Sequence, residues 1–180
     1  MWCCLVGSEM CIRDRAVARG NRGAFIIGDM PFMSCVDVVD ACRAAQAIMQ
    51  AGAQMVKCEG DSALVPLVQR LSEQGVPVCV HLGLRPQSIH MEGRYRVQGR
   101  DLAAADQLLN DALALEKAGA KCCVLECVPS SLAADVTQSL QMPVIGIGAG
   151  SGVDGQILVS YDMLGICLLY TSPSPRDNTT

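Results

Sequence analysis

The chain has 180 residues, which is enough for one domain with a sizeable core and too few for two ordinary domains. Hydrophobic residues make up 51% of it, but charged residues interrupt every apolar run before the roughly 20 residues that a membrane-spanning helix needs. The net charge of −4 and an aromatic content of 3% exclude the basic surfaces and stacking platforms that nucleic-acid binding uses. We therefore expect a soluble protein that binds neither membranes nor nucleic acid.

The cysteine content points to a reducing compartment. Eleven cysteines could indicate the disulfides of a small secreted protein, but the segment that begins at Met1 lacks a signal-peptide layout. Several cysteines also lie inside apolar, strand-like runs, and those between residues 16 and 166 contain no CxxC pair of the kind that binds structural zinc. We expect buried, reduced thiols in a cytoplasmic protein.

The two ends differ from the middle of the chain in periodicity and composition. MCIRDR, at residues 10–15, is similar to the translation of a transposon mosaic end used to make sequencing libraries. CLLYTSPSPRD, at residues 167–177, is similar to the same adaptor read on the opposite strand. We therefore expect residues 1–15 and 167–180 to be adaptor-derived and disordered, and residues 16–166 to form the domain. Natural disordered tails are the alternative.

Between these ends, helix-like segments alternate with short apolar runs that we predict to be strands. In chain order we predict a strand at 24–29, a helix at 36–51, a strand at 54–60, a helix at 63–74, a strand at 76–83, a long loop at 84–100, a helix at 101–118, a strand at 122–127, a helix at 131–141 and strands at 143–150 and 156–161. Gly52, Gly75 and Gly119 fall where helix C-caps belong. The loop is long enough to act as a lid.

This alternation predicts an α/β protein with a parallel sheet. Continuous apolar runs indicate strands that are buried on both faces. The units could form an open doubly wound sheet or a closed eight-stranded barrel, and no strand is followed at once by a dinucleotide-binding fingerprint. We favour a (β/α)8 TIM-type barrel, incomplete here because only about six of eight β/α units can be counted.

Ionisable residues close four of the apolar runs. They are Asp29, Lys57 together with Glu59, His81 and Glu126. In parallel α/β folds the active site lies at the C-terminal ends of the strands, and a charge at such a place needs a partner, a metal or a substrate. Lys57 and Glu59 are two residues apart, so on a strand they leave the same face roughly 7 Å apart.

Each of these residues also has a purely structural interpretation. A carboxylate at a strand end often caps a helix or pairs with a cation, and His81 could be a core histidine bonded to backbone. Asp29 and Glu59 are hard oxygen ligands that suit Mg²⁺, which a 2-oxo acid could also chelate. The GIGAG segment at 146–150 could cradle a phosphate or be an ordinary glycine-rich strand exit.

Several motifs together resemble the ketopantoate hydroxymethyltransferase family over residues 16–166. They are DMPFM at Asp29, AGAQMVKCEG around Lys57, VPVCVHLGLRPQS around His81, YRVQGR in the long loop, LECVP at Glu126, and PVIGIGAG followed by DGQILV. The resemblance implies transfer of a hydroxymethyl group from 5,10-methylenetetrahydrofolate to 3-methyl-2-oxobutanoate, which gives 2-dehydropantoate in pantothenate and coenzyme A biosynthesis. It also implies Mg²⁺ as cofactor, small-molecule 2-oxo acid and folate partners, and a ring-type homo-oligomer.

The resemblance implies a role for most of the candidate residues. Asp29 would bind the magnesium ion and also contact the oxo acid, and Glu59 would be a second metal-site carboxylate. Lys57 would contact the substrate carboxylate, and Glu126 would be the general base that removes the C3 proton. His81 would line the substrate site without an assigned step.

One expected metal ligand is missing. The family has another metal-binding aspartate, in a GDS motif on an earlier strand, and nothing upstream supplies it. Gly60, Asp61 and Ser62 spell the same letters but belong to a later unit, where we predict that they begin a helix. Because a barrel cannot close properly on six of its eight strands, we also expect this chain to be an inactive fragment whose open edges favour aggregation.

Two other functions stay open. The chain could derive from a related magnesium-dependent barrel that acts on another 2-oxo acid as a lyase or mutase. Such enzymes usually recruit a nucleophile or an acid from the long loop, and the segment 84–100 contains no cysteine to serve in that role. The chain could also be a non-catalytic barrel fragment, in which case it would bind no magnesium.

Overall fold

A computed structural model describes residues 7–93 and 96–165 of the protein. In chain order its helices and strands are α1 (Gly7–Gly20), β1 (Ile27–Asp29), α2 (Val38–Ala51), β2 (Met55–Glu59), α3 (Val65–Glu73), β3 (Val78–Gly83), α4 (Ile89–Glu92), α5 (Leu102–Lys117), β4 (Cys122–Glu126), α6 (Ser130–Ser139), β5 (Val144–Ile147), β6 (Gly155–Gln156) and α7 (Ser160–Met163). Two 3-10 turns, Ser62–Leu64 and Pro86–Ser88, precede α3 and α4. Among these residues no helix is both long and apolar enough to cross a membrane.

The six strands form a single parallel sheet in the order β1-β2-β3-β4-β5-β6. Every strand pairs with the next one along the chain, and a helix covers most of the connections between them. This is the winding of a (β/α)8 barrel, in which each unit lies beside the preceding one. Within the described residues β1 and β6 are edge strands, so the sheet is an incomplete barrel, as predicted.

Each face of the sheet has its own core, because alternate residues of a strand point to opposite sides. The helices cover the outer face, where strand residues such as Val56, Val80 and Leu125 join the larger core. The inner face carries a smaller cluster, which we call the inner cluster. Its buried members are Met55, Cys79, Cys122, Val124 and Ile147.

The helices begin and end where their capping residues predict. The Asp37 carboxylate accepts hydrogen bonds from the backbone N–H groups of Val39 and Asp40 at the start of α2, and Asp101 caps α5 in the same way. Helix α2 ends at Gly52, whose φ of 114° would strain a residue that carries a Cβ. The other two glycines predicted at helix ends also have positive φ angles.

Three segments differ from the sequence prediction. The strand expected at 156–161 is reduced to Gly155–Gln156, and Ser160–Met163 is helical. Strand β6 is an edge strand, and its partner β5 already ends at Ile147, so pairing stops early. The loop expected at 84–100 contains a 3-10 turn and α4.

The third difference concerns the N-terminal tail. Helix α1 begins at Gly7, inside the segment expected to be disordered, so residues 7–15 are helical instead. The rest of both predicted tails lies outside the described residues. A helical conformation does not reveal where a sequence came from, so the domain bounds 16–166 stay a prediction.

Candidate active site

The register of the strands brings the five candidate residues to one face of the sheet. Asp29 pairs with Lys57 across β1 and β2, and Glu59 pairs with His81 across β2 and β3. Glu126 stands opposite the residue two places after His81. Paired residues, and residues two apart on a strand, share a face. All five therefore lie on the inner face, above the inner cluster and at the C-terminal ends of their strands.

Asp29 and Lys57 form an ion pair. Lys57 Nζ lies 3.0 Å from Asp29 Oδ1, with 18% of the lysine side chain and 58% of the aspartate side chain exposed. Burial on its own would lower the pKa of Lys57, but Asp29 and, to a smaller extent, Glu59 together outweigh it and raise the pKa above its ordinary value. Lys57 is therefore a permanent cation at neutral pH, able to receive a substrate carboxylate.

His81 lies between two carboxylates. Its Nε2 is 3.1 Å from Glu126 Oε2, and its Nδ1 is 3.7 Å from Glu59 Oε1. The ring is almost fully buried, yet neither nitrogen makes a well-directed hydrogen bond to the described residues. Burial on its own would lower the pKa of His81, but Glu126 and Glu59 outweigh it and raise that pKa. The two carboxylates thus favour the protonated ring, which would form an ion pair with each of them.

Glu59 is held by the chain that follows β3. Its Oε2 accepts a hydrogen bond of 2.9 Å from the backbone N–H of Gln87. Burial on its own would raise the pKa of Glu59. The combined effect of His81 and the Gln87 N–H is larger and in the opposite direction, so the pKa lies below its ordinary value. Glu59 is consequently an ionised carboxylate, with its second oxygen facing His81.

The backbone around Glu126 is fixed from both sides. The Glu126 carbonyl accepts a 2.8 Å bond from the N–H of Leu84, and the N–H of Cys127 donates to the carbonyl of Ile147 at 2.8 Å. Cys127 has a φ of 52°, a left-handed conformation that costs a side-chain-bearing residue roughly 1–2 kcal/mol. Such conformations persist only where the surrounding structure holds them in place, and they are found most often at functional sites. Cys127 thus ends the extended conformation of β4 immediately after Glu126.

The donor set at the strand ends fits a magnesium ion. Asp29 and Glu59 are carboxylates on adjacent strands and on the same face. Within the part of the chain that the structure describes, no group of three or more His, Cys, Asp or Glu side chains could hold a metal alone. Mg²⁺ commonly uses one or two carboxylates and completes its shell with water and substrate oxygens. Asp29 and Glu59 can therefore be two ligands of such a site, beside the further aspartate that the family resemblance implies.

The sequence does not single out the residues that support this site from the loop after β3. Gln87 contacts Glu59 through its backbone, and Arg85 Nη1 lies 3.1 Å from Asp61 Oδ2. Gln87 is a neutral residue in a loop without regular periodicity, so nothing in the sequence indicates that it contacts a candidate residue. The one available hint is its position, a few residues past the end of a strand that bears a candidate residue.

Solved structures with a similar fold define the structural class. A candidate phosphonomutase from Burkholderia cenocepacia J2315 has a TM-score of 0.70 and 14% identity, with 90% of this chain and 74% of that chain covered. The 2,3-dimethylmalate lyase, a PEP mutase/isocitrate lyase superfamily member, has a TM-score of 0.61 and 13% identity, with 90% and 62% covered. At this identity the likeness shows the fold alone. The protein is therefore an α/β barrel of this structural class, incomplete in the residues described.

Sequence relatives define the family. The model of ketopantoate hydroxymethyltransferase matches residues 5–175. The 3-methyl-2-oxobutanoate hydroxymethyltransferase of Proteus mirabilis (strain HI4320) is 56% identical over 158 residues, which are 88% of this chain and 60% of that protein. Its counterpart from Marinobacter nauticus (strain ATCC 700491 / DSM 11845 / VT8) is 54% identical, with 93% and 62% covered. The chain belongs to the ketopantoate hydroxymethyltransferase family and spans about 60% of the length of these relatives.

Proposed function

We propose that the full-length protein carrying this chain transfers a hydroxymethyl group from 5,10-methylenetetrahydrofolate to 3-methyl-2-oxobutanoate, giving 2-dehydropantoate for pantothenate biosynthesis. The observation that carries the proposal is the meeting of Asp29, Lys57, Glu59, His81 and Glu126 on one face at the strand ends. The names of relatives that are 56% and 54% identical support the same reaction. We expect the chain alone, with its open sheet, to be inactive.

Glu126 is the general base of this proposal. It would accept the proton from C3 of the oxo acid, and that carbon would form a bond to the methylene carbon carried by the folate. Both bonds from that carbon to folate nitrogens break in the overall reaction, one water molecule supplies the hydroxyl group, and tetrahydrofolate leaves. Its position supports the assignment, because Glu126 Oε2 lies 3.1 Å from His81 Nε2, and a protonated imidazole would attract the carboxylate and keep it near the strand end. His81 would also line the substrate site, and we assign it no proton transfer.

The remaining three residues would bind substrate and metal. Lys57, kept cationic by Asp29, would bind the carboxylate of the oxo acid. Asp29 and Glu59 would hold the magnesium ion, and Asp29 would also contact the oxo acid. When bound, the ion supplies Lewis-acid stabilisation of the negative charge that develops on the oxo acid as its proton leaves.

The proposed function also includes a cytoplasmic location and a homo-oligomeric assembly of the full-length protein. Among the described cysteines, Cys35, Cys42, Cys58, Cys79, Cys122 and Cys123 are free thiols, which supports a reducing, cytoplasmic environment. The family resemblance supports a ring-type homo-oligomer of the full-length protein.

A lyase or mutase acting on another 2-oxo acid is the competing function. Its support comes from structural neighbours such as the dimethylmalate lyase, which share the fold at only 13% identity. Relatives at 56% and 54% identity have the transferase name instead. Sequence similarity of that degree favours the transferase.

The experiment is an assay of magnesium-dependent 2-dehydropantoate formation. The reading frame would be extended through both ends in the source DNA, and the complete protein compared with its Glu126→Gln variant. Loss of the base should reduce kcat by roughly 10²–10⁴-fold. Glu73→Gln is the matched control, because Glu73 lies exposed on α3 and should leave the rate unchanged.

The outcomes separate the hypotheses. Activity that depends on Glu126, and is absent from this chain alone, supports the proposal. An inactive complete protein with a competent lyase reaction would favour the competing function. Activity of this chain alone would contradict the expectation that the open sheet is inactive.

A further inference from the structure

The turn after β3 crosses in front of the ends of β2 and β1. It is the 3-10 turn Pro86–Ser88, and it begins with a proline whose fixed φ suits the first position of a helical turn. Its central residue, Gln87, makes two hydrogen bonds to other strands. The backbone N–H donates to Glu59 Oε2 at 2.9 Å, and the side-chain Nε2 donates to the carbonyl of Met30 at 3.0 Å.

These two bonds reach the two strand ends that carry the candidate metal carboxylates. Glu59 is the last residue of β2, and Met30 directly follows Asp29, the last residue of β1. The side-chain amide anchors the turn to the end of β1, and this anchor determines where the Gln87 N–H meets Glu59. Gln87 thus adds a link between the two strand ends beside the direct pairing of β1 with β2.

A second contact ties the same turn to β2. Arg85, the residue before the turn, pairs with Asp61, two residues after Glu59, at 3.1 Å. The turn is thus attached to β2 on one side and to β1 on the other. The β1 attachment is made by the Gln87 amide, so removal of this amide should release one side of the turn only.

We propose that Gln87 is a positioning residue of the metal site, which holds the Glu59 carboxylate in place and fixes it relative to the end of β1. The inference rests on the proposed function, because it takes Asp29 and Glu59 as the metal carboxylates. Outer partners that orient metal ligands typically contribute about 10–100-fold to metal affinity or activity. Gln87 touches neither metal nor substrate in this role.

Glutamine suits this role because its amide can donate to a carbonyl oxygen. Methionine would fill a similar space without a donor, and glutamate would present an acceptor to the Met30 carbonyl. Glutamate also adds a negative charge near the site, which by simple electrostatics should attract a cation. Positioning and electrostatics therefore predict opposite effects of Gln87→Glu on cation affinity.

The test measures Mn²⁺ binding to the metal-free, full-length protein by electron paramagnetic resonance. Gln87→Met and Gln87→Glu should each raise the Kd for Mn²⁺ about 10–100-fold. Gln69→Met is the matched control, because Gln69 is exposed on α3 and donates only to Glu73. Urea unfolding of each variant checks its folding, and Gln87→Glu, which keeps size and polarity, serves if Gln87→Met does not fold.

Measurements in a Glu59→Gln background separate the positioning role of Gln87 from the proposed role of Glu59 as a metal ligand. If Gln87 acts through Glu59, adding Gln87→Met to Glu59→Gln should cause little further loss of Mn²⁺ affinity. Normal binding by the Gln87 variants, or tighter binding by Gln87→Glu, would overturn the inference while the metal assignment of Glu59 stands. Normal binding by Glu59→Gln itself would overturn that assignment, and the inference with it.

A readout without metal tests the positioning step directly. The backbone N–H at position 87 is bonded to Glu59, so its exchange with deuterium should be slow in the unaltered protein. In Gln87→Glu the same amide should exchange at least several-fold faster. Unchanged exchange would show that the side chain does not hold the turn, and would overturn the inference.

Discussion

Gly83 closes β3 directly beside Glu126 and leaves no space for a side chain. It has a φ of +84°, and a Cβ added to it would collide with the Glu126 carbonyl oxygen. We expect Gly83→Ala to lower the free energy of unfolding by about 2–5 kcal/mol, the combined cost of the left-handed φ and of overpacking. Urea unfolding measures this loss.

Gly75→Ala is the control for this prediction. Gly75 has a similar φ of +80°, but nothing lies within 4 Å of its added Cβ. The alanine there should cost only the conformational part, about 1–2 kcal/mol. Equal losses in the two variants would mean that the contact with the Glu126 backbone is unimportant.

The sequence predicts which residues meet at the strand ends but not how they are held. Asp29, Lys57, Glu59, His81 and Glu126 stand out because each ends an apolar run, and strand register then brings them together. Their individual chemical roles stay predictions. The support of Glu59 could not be predicted, since it comes from a backbone N–H, which every residue but proline has.

At the scale of elements, Asp111 joins helix α5 to the start of the unit after β2. It is buried on α5, and its Oδ1 accepts bonds from the Ser62 N–H at 3.2 Å and from Gln107 Nε2 at 2.9 Å. Asp111→Ala should lower the free energy of unfolding by about 1–2 kcal/mol, through loss of a charged hydrogen bond. Asp106→Ala, at an exposed position of the same helix, should change it by less than about 0.5 kcal/mol in thermal unfolding.

A strand could be predicted wherever the apolar composition of its own residues is sufficient to identify it. The runs that form β2 to β5 are apolar because both faces of those strands are covered, and this composition can be read from the sequence alone. Strand β6 has an equally apolar run after it, yet only Gly155 and Gln156 pair with β5. An edge strand extends only as far as its neighbour does, which is a property of the sheet and not of the run.

At the scale of the whole molecule, the open edge at β1 is apolar. Phe25 is 58% exposed, Ile27 is partly exposed, and both line a cleft with Val17 of α1. Edge strands with exposed apolar residues associate with other chains. We expect the chain to self-associate, and Phe25→Lys to weaken that association about tenfold or more, the equivalent of burying one aromatic side chain.

Sedimentation velocity over a range of concentrations measures this association. Met91→Lys is the control, because Met91 is 95% exposed and does not line that cleft. A monomeric chain, or equal effects of the two lysines, would contradict the prediction.

The sequential strand order also bears on how the protein forms during its synthesis. Since each strand pairs with the one translated next, a new β/α unit can add to a sheet made by residues that left the ribosome earlier. Among the six described strands none pairs with a strand distant in the sequence, which keeps the entropy cost of each of these pairings small. The pairing of β1 with β2, and with it the Asp29–Lys57 ion pair, can therefore form before Glu126 has been translated.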